Sequence, residues 1–358
     1  MKKICFFIAN INGFGGTERV TSIISNELSK KDYEVHILSL HNGLTPFFHL
    51  SKNIISSQLS NKKTNILSLP LTILKLNSYL KNNKIDILIT VESMLFLYSL
   101  PATLNLKIKN ICWEHFNYNV TLGKKSRHLA RKLAARYANN VITLTNGDKK
   151  LWKESTKCNA KLQTIYNPIT IDKPKEINLN KEKILLAVGR LTHQKGFDLL
   201  LKSWKKVSLE ANDWTLKIVG EGEDNKKLRD LIKGLDIKNV ELHSKTKNIS
   251  SYYQEASFFV MSSRFEGFGL VLAEAQSYGL PAVSFDCPMG PSEIIEHNQS
   301  GWLCEPENIN SLASTMLTAI NSKKNINIYK LLSDNSIKNA ENFTLERIIN
   351  HWESLINE

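Results

Sequence analysis

The sequence predicts an α/β protein made of two Rossmann-like domains in tandem. Short apolar runs typical of buried parallel strands alternate with amphipathic helical stretches along the whole chain. Near the middle, Asn167-Pro168-Ile169 and the polar residues 172–176 have the composition of a linker. A chain of 358 residues is long enough for two such domains. We therefore expect domains at residues 1–167 and 168–340, with a C-terminal helix, 341–358, packing back toward the first domain.

The predicted strands are short and divide between the two domains. Those of the first domain are Lys3–Ala9, Tyr33–Leu40, Ile85–Val91, Lys109–Trp113, Val141–Leu144 and Leu162–Tyr166. Those of the second domain are Ile184–Val188, Trp214–Val219, Val240–His243, Phe258–Met261 and Pro281–Phe285. Residues 42–80 show a weaker pattern, and the chain from Leu312 onward predicts helices. Because such sheets bind ligands at the carboxyl ends of their strands, we look for functional residues there, in the cleft between the domains.

A glycine-rich loop follows the first predicted strand. Gly15 and Gly16 permit a close approach of backbone to ligand, and the helix that begins after them has an N-terminus suited to an anion. A dinucleotide site is disfavoured, because Glu18 stands where the third glycine of that fingerprint belongs and no acidic residue ends the second strand. A plain tight turn remains the alternative interpretation of this loop.

Positive charge is concentrated in the first half of the chain. The formal net charge is +13, and residues 166–358 are close to neutral. This asymmetry indicates an anionic partner, either nucleic acid or an acidic membrane surface; a compositional bias toward lysine without function is the alternative.

The predicted helix Gly123–Tyr137 carries much of this charge. Its basic residues are Lys124, Lys125, Arg127, Arg131, Lys132 and Arg136. Leu129, Leu133 and Tyr137 recur every four residues, and we expect this stripe to pack on the sheet. The basic face is then either an ordinary solvated face or a surface that contacts anionic lipid without deep insertion.

Charged residues also follow strands of the second domain. Arg190 and Lys195 lie in the loop after Ile184–Val188, beside a helix start, which is a suitable arrangement for clamping a diphosphate. After the strand Phe258–Met261 come Glu266, a glycine turn and a predicted helix, Leu270–Tyr278, that contains Glu274. The two glutamates are about 12 Å apart if the stretch between them is mostly helical.

These motifs together resemble the retaining glycosyltransferases of family 4, which have the GT-B fold. Glu266 and Glu274 match that family's Glu-x7-Glu pattern, and Arg190 and Lys195 match its phosphate-binding pair. Gly15-Gly16-Thr17-Glu18 matches its N-terminal loop, and His115 matches a histidine that follows a strand. The loop Cys287–Glu293 further resembles bacterial enzymes that build lipopolysaccharide, O-antigen or capsule repeat units.

The resemblance implies hexosyl transfer from a nucleoside-diphosphate sugar, with UDP-hexose or UDP-N-acetylhexosamine favoured, and retention of configuration. It implies a catalytic set of Glu266, His115, Arg190 and Lys195. It implies a donor-binding set of Gly15, Gly16, Arg190, Lys195, Glu266, Gly267, Phe268, Gly269, Leu270 and Glu274. The expected acceptor or membrane residues are Glu18, Lys124, Lys125, Arg127, Arg131 and Lys132. No Asp-x-Asp pair occurs, so we expect neither a metal nor a cofactor.

The expected acceptor is a glycan linked to polyprenyl diphosphate or to lipid A core, at the inner face of the cytoplasmic membrane. The five cysteines are scattered and no run approaches the ~20 apolar residues of a membrane span, so we expect a cytoplasmic, peripheral protein.

Three alternative functions remain at this point. A GT-B epimerase or phosphorylase would act on the sugar without this acceptor. A nucleic-acid-binding protein would use the basic half, but the sequence has no recognition module for nucleic acid. An inactive scaffold is disfavoured because the motif residues are intact.

Overall fold

The computed structural model describes residues 1–61, 68–174, 176–246 and 248–358, which form two compact units. The first unit consists of Met1–Thr170 with Leu345–Glu358, and the second unit consists of Ile171–Thr344. Residues 62–67 of the weakly patterned segment and residue 175 of the predicted linker lie outside the described residues.

The first unit is a parallel sheet flanked by helices. The strand order is β3-β2-β1-β4-β5-β6-β7, and every neighbouring pair is parallel. Its elements are β1 (Lys2–Ile8), α1 (Gly16–Leu28), β2 (Tyr33–His41), β3 (Ile55–Ser60), α2 (Leu69–Asn82), β4 (Ile87–Val91), α3 (Phe96–Thr103), β5 (Lys109–Trp113), α4 (Ser126–Tyr137), β6 (Asn140–Thr143), α5 (Asn146–Ser155) and β7 (Lys161–Thr164).

The second unit repeats this plan. Its parallel sheet has the order β10-β9-β8-β11-β12-β13. Its elements are β8 (Ile184–Val188), α6 (Phe197–Glu210), β9 (Thr215–Val219), α7 (Asn225–Gly234), β10 (Val240–His243), α8 (Ile249–Glu255), β11 (Phe258–Met261), α9 (Leu270–Ser277), β12 (Ala282–Phe285), α10 (Pro291–Ile294), β13 (Gly301–Cys304), α11 (Ile309–Ser322) and α12 (Ile326–Ala340). The chain returns to the first unit with α13 (Leu345–Asn357).

In each sheet the strand order reverses once. The reversal lies between β1 and β4 in the first unit and between β8 and β11 in the second. Loops that leave neighbouring strands toward opposite faces of a sheet open a crevice between them, and ligands of α/β proteins bind there. The glycine loop follows β1, and the loops with Lys195 and Glu266 follow β8 and β11.

The predicted strands are all present, and no end differs from its prediction by more than two residues. Two further strands, β3 and β13, are not predicted by the sequence pattern. Both are edge strands. The segment Ile55–Ser60 is largely polar and only half-buried, and Gly301–Cys304 begins with a glycine, a residue that is uncommon in strands.

Helix α13 is joined to the first unit by aromatic and polar contacts. The Trp352 ring lies 4.8 Å from the Trp113 ring and 6.3 Å from the Phe6 ring, centroid to centroid. At the end of the helix, Lys2 and Lys109 donate hydrogen bonds to the carbonyls of Ile356 and Leu355 at 2.8 and 2.6 Å. Cations at a helix C-terminus satisfy its last carbonyls and its dipole.

Helix α4 is oriented differently from the sequence-based expectation. Leu129 and Tyr137 of the predicted core stripe are 55% and 54% exposed. The buried face consists instead of Arg127, Ala130, Arg131, Ala134 and Ala135. The expectation was wrong for Leu129 and Tyr137, because the small alanines form the buried face and leave these two residues outside, whereas Leu133 is partly buried and packs against the core as expected.

Two of the basic residues assigned to the membrane are therefore not on the surface. Arg127 pairs with Glu92 at 2.6 Å, and Arg131 pairs with Glu114 at 3.0 Å through its Nε. Both side chains of the second pair are fully buried. Burial raises the pKa of Glu92, against the opposing effect of the Arg127 charge. Lys124, Lys125 and Lys132 are exposed, as expected for a surface helix.

Within the described residues, no helix has the length and apolar character needed to cross a bilayer.

Replacement of Glu114 by alanine should strongly destabilise the protein. Arg131 would be left with an uncompensated buried charge, and breaking a pair of this kind costs about 3–5 kcal/mol. Thermal and urea unfolding would measure the loss. Lys132→Ala, on the exposed side of the same helix, should change stability by less than about 0.5 kcal/mol. The double variant Glu114→Ala/Arg131→Met should regain part of the loss; equal stability of Glu114→Ala and Lys132→Ala would contradict a structural role for the pair.

Candidate functional site

The second unit places Lys195 against Glu266 at the crevice between β8 and β11. Lys195 Nζ lies 2.6 Å from Glu266 Oε1, and both side chains are largely buried. Ser263 Oγ donates to the same oxygen at 2.6 Å. Among the described residues both contacts fall on Oε1, so Oε2 is the oxygen of this carboxylate that is left for a ligand hydroxyl.

Backbone contacts between the two loops hold this pair in place. Arg264 N donates to the carbonyl of Gln194 at 2.8 Å, and Gln194 Nε2 donates to the carbonyl of Phe265 at 3.0 Å. Gly196 has φ +63, and a Cβ there would lie 2.1 Å from the carbonyl oxygen of Ser262. A glycine is thus required both for the backbone angle and for the close approach of the loops.

The Arg264 side chain strengthens the same junction. Its guanidinium forms a bidentate pair with Asp198 at 2.9 and 2.8 Å, and it also donates to the carbonyl of His193 at 2.7 Å. The Arg264 hydrogen bond helps to hold the pKa of Asp198 below its usual value, against the larger opposing effect of burial. Arg264 therefore fixes loop geometry and does not itself face the pair.

Arg190 lies on the same loop as Lys195 and its side chain is exposed. The loop is fixed from the other side by the segment after β9, since Leu191 N donates to the carbonyl of Glu221 at 2.9 Å. A Cβ on Gly220 would lie 1.8 Å from the carbonyl oxygen of Gly189, so these loops pack backbone against backbone. Two cations on one rigid loop are suited to bind an anionic group.

Residues 266–270, which the sequence predicts to bind the sugar donor, form a tight turn that leads into α9. Gly269 has φ +90 and precedes the helix, while Phe268 is buried with its ring 5.4 Å from that of Phe343. A Cβ on Gly290 would lie 2.0 Å from the carbonyl oxygen of Phe268, so the loop after β12 contacts this turn. Glu274 is buried within α9, and Tyr253 donates a hydrogen bond to its Oε2 at 3.3 Å.

In the first unit, the glycine loop is shaped by Glu18. A Cβ on Gly13 would lie 2.6 Å from Glu18 Oε1, and a Cβ on Gly15 would lie 2.7 Å from Oε2. The carboxylate thus fills the space beside both glycines. Gly16, by contrast, has open space where a side chain would begin.

His115 is buried directly after β5. Its ring lies 4.3 Å from the Trp113 ring, and burial lowers its pKa to about 3. Its Nε2 is enclosed, and no described residue supplies that atom with a hydrogen-bond partner. The imidazole is therefore neutral near pH 7, and it offers a ligand one hydrogen-bonding nitrogen that the protein leaves unused.

Glu114 organises the backbone around His115. Its Oε1 accepts hydrogen bonds from the amides of His115 and Phe116, both at 3.1 Å, while Oε2 is bonded to Arg131 and Ser93. Glu114, Ser263 and Arg264 were not among the residues that the sequence predicted for the site. The available signal was their position, because each comes just after a buried strand.

The sites thus lie on separate units. The structure brings Lys195, Glu266 and Ser263 together in the second unit, with Arg190 on the same loop. The glycine loop and His115 belong to the first unit. Arg127 and Arg131 belong to neither of these two sites, because both side chains are buried in ion pairs.

The buried neutral state of His115 predicts a pH dependence of stability. Its pKa is lower in the folded protein than in the unfolded chain, so the unfolded chain binds the extra proton and stability falls as pH drops below about 6.5. From pH 7.5 to pH 5, this histidine should lower the free energy of unfolding by about 2 kcal/mol. The difference in stability between wild type and His115→Asn, measured by urea unfolding at both pH values, isolates the effect from other groups. The exposed His49→Asn should show no such difference, and a wild-type-like slope in His115→Asn would count against the assignment.

Comparison with known proteins agrees with this geometry. Residues 14–173 match the model for Glycosyltransferase Family 4, and residues 169–342 match the model for Glycosyl transferases group 1. An uncharacterized glycosyltransferase of Haemophilus influenzae is 37% identical, with 99% of this chain and all of the relative covered. The amylovoran biosynthesis glycosyltransferase AmsD of Erwinia amylovora is 29% identical over the full length of both chains.

A solved structure shows the same fold at low sequence identity. A point mutant of S. aureus TarM, in complex with fondaparinux, alpha-GlcNAc-glycerol and UDP, has a TM-score of 0.80 over 100% of both chains, at 18% identity. Two parallel α/β units of this kind define the GT-B class. The chain therefore belongs to the glycosyltransferases and is an enzyme of that class with the GT-B fold.

Proposed function

We propose that the protein transfers a hexose from a nucleoside-diphosphate sugar to a lipid-linked glycan during synthesis of a cell-surface polysaccharide, with retention of configuration. UDP-hexose or UDP-N-acetylhexosamine is the favoured donor, and the glycan belongs to an O-antigen, lipopolysaccharide or capsule. The name of the Erwinia relative supports a role in polysaccharide synthesis, and UDP in the TarM structure supports the nucleotide.

The observation that carries this proposal is the Lys195–Glu266 pair with Arg190 on the same loop. Breaking the bond between the sugar and the diphosphate develops negative charge on the leaving phosphate. Lys195 and Arg190 are cations on a loop whose backbone is held by hydrogen bonds, so they are placed to stabilise that charge. In this proposal they take the place of a metal ion, and the Gly15–Gly16 backbone contributes amide donors.

Glu266 then binds the donor sugar and is not the nucleophile. Its Oε1 is already bonded to Lys195 and Ser263, which lowers the reactivity of the carboxylate. Its other oxygen accepts hydroxyl groups of the sugar, and Glu274 is assigned to the ribose. Double displacement would also require a second carboxyl group ~5 Å away, and the sequence spacing puts Glu274 about 12 Å from Glu266.

The transfer is proposed to occur on one face of the sugar. The bond from the anomeric carbon to the phosphate oxygen breaks as the bond to the acceptor oxygen forms. The acceptor's proton passes to the leaving phosphate oxygen. His115, neutral and with an unused Nε2, donates or accepts a hydrogen bond at the sugar and does not act as an acid.

Replacement of Lys195 by glutamine should lower kcat by about 10²–10³, because one preorganised donor to the leaving group is lost. The measurement is release of the nucleoside diphosphate from a panel of UDP- and GDP-sugars, with and without a lipid-linked glycan acceptor. Lys202→Gln, exposed on α6, is the matched control and should retain activity.

Three outcomes would each contradict a part of the proposal. Equal activity of the Lys195→Gln and Lys202→Gln variants would remove Lys195 from the chemistry. Isolation of a covalent glycosyl-enzyme at Glu266 would replace the single-face mechanism by double displacement. Donor turnover that gains nothing from any acceptor would favour the epimerase or phosphorylase alternative.

In the proposed function, the protein contacts the membrane through the exposed side of α4. Leu129 and Tyr137 of this helix are each more than half exposed, and the exposed lysines on it and just before it are Lys124, Lys125 and Lys132. Apolar side chains beside lysines fit the interface of an anionic bilayer better than bulk water. The buried arginines of the helix are excluded from this surface.

Neutralising this surface should weaken membrane binding. With each lysine contributing about 1 kcal/mol near an anionic surface, the triple variant Lys124→Gln/Lys125→Gln/Lys132→Gln should bind vesicles of phosphatidylcholine and phosphatidylglycerol roughly 100-fold more weakly. Vesicle co-sedimentation at low and high salt would measure this. The matched control is Lys226→Gln/Lys227→Gln/Lys233→Gln on α7 of the second unit, which should bind like wild type. Unchanged binding of the α4 variant would refute the role of this helix.

A further inference from the structure

Ser263 lies beside the Lys195–Glu266 pair and is fully buried. It follows β11, and its Oγ donates to Glu266 Oε1 at 2.6 Å, so the hydroxyl closes a turn between residues three apart in the chain. Lys195 Nζ donates to the same oxygen, also at 2.6 Å. One buried carboxylate oxygen therefore has two donors, one neutral and one charged.

The two donors differ in how they are held. The stem of Lys195 packs against Gly189, just after β8, since a Cβ on that glycine would lie 3.4 Å from Cγ, Cδ and Cε of the lysine. Ser262 Oγ donates to the Lys195 carbonyl at 3.0 Å, which fixes the backbone. The Lys195 side chain is 16% exposed, against 7% for Glu266. The ammonium group, at the end of a confined stem, is thus the part of the pair that is able to turn toward a ligand.

A bound diphosphate changes the balance at Glu266 Oε1. In the proposed function Lys195 binds the leaving phosphate, so its ammonium group turns at least partly away from the carboxylate. A buried carboxylate that loses a donor without a replacement is costly, because its charge is then poorly compensated. Ser263 is held by its place in the turn and stays bonded to Oε1 when the lysine turns.

We propose that Ser263 is a positioning residue that lets Lys195 exchange Glu266 for the diphosphate of the donor. The hydroxyl keeps Oε1 bonded and the carboxylate in place, which leaves Oε2 for the sugar. The exchange takes place when the donor binds, before charge develops on the leaving phosphate. This inference rests on the proposed function, because the diphosphate is the ligand assigned there to Lys195.

Replacement of Ser263 by alanine should reduce the affinity that a nucleotide gains from its second phosphate. Calorimetric titration of the full chain with UMP, UDP, GMP and GDP measures this gain as the ratio of the Kd of the monophosphate to that of the diphosphate. Without the hydroxyl, Lys195 leaves a buried carboxylate oxygen unpartnered, so the ratio should fall roughly tenfold. Ser263→Cys, which fills similar space with a weak donor, should show a loss in the same direction.

A second variant background tests whether the serine acts through the carboxylate. In Glu266→Gln the oxygen carries no charge, so the addition of Ser263→Ala should change the ratio by less than about twofold. Ser203→Ala is the matched control. It removes another fully buried serine of the second unit, whose Oγ donates to carbonyls of α6 and of Ile309, and it should keep the ratio of wild type.

Steady-state kinetics separate this positioning role from the role of Lys195. The loss in Ser263→Ala falls on the bound donor and on the transition state alike, so the donor KM should rise roughly tenfold while kcat changes by less than about threefold. Lys195→Gln, by contrast, should lower kcat. A large fall in kcat at unchanged KM in Ser263→Ala would contradict the exchange.

Three results of the titrations would overturn the inference. They are the absence of any gain from the second phosphate in wild type, the same gain in Ser263→Ala as in Ser203→Ala, and an undiminished effect of Ser263→Ala in the Glu266→Gln background. Donor turnover distinguishes the two hypotheses. If wild type turns over no donor, the proposed function fails while the nucleotide ratios still test the exchange. If donors are turned over and Ser263→Ala keeps the wild-type ratio, the exchange alone fails.

Discussion

The close backbone contact between the loops after β8 and β11 is the constraint on which the second unit's site depends. These strands are neighbours at the reversal of strand order, so their loops would otherwise diverge around an open crevice. Gly196 removes the side chain that would collide with Ser262, and the hydrogen bonds of Gln194 and Arg264 then join the loops. Lys195 and Glu266 meet because their backbones are fixed. Charges held in this way stabilise a developing charge without the cost of reorganisation during the reaction.

In the first unit, buried ion pairs likewise fix the backbone beside a candidate functional residue. A buried ion pair is no more stabilising than well-packed apolar residues, so stability alone does not explain Glu92–Arg127 and Glu114–Arg131. Both glutamates follow strands, and both pairs join those strand ends to α4. Glu92 has φ +81, a backbone angle that is unfavourable for a residue with a side chain and that persists only when the surroundings enforce it. The pairs thus fix the chain around His115 and with it the position of the unpartnered Nε2.

The sequence predicts those strands and site residues that are marked by a local pattern of apolar and polar side chains. Buried parallel strands are runs of apolar residues, and Lys195 and Glu266 were identifiable because each follows such a run. The face of α4 was not predictable in this way, because a basic residue with a buried carboxylate partner looks the same in sequence as a basic residue in water. The reason for Gly13 and Gly15 was also hidden, since it lies in the side chain of Glu18, which folds back beside them. The neutrality of His115 depends on burial by residues distant in sequence.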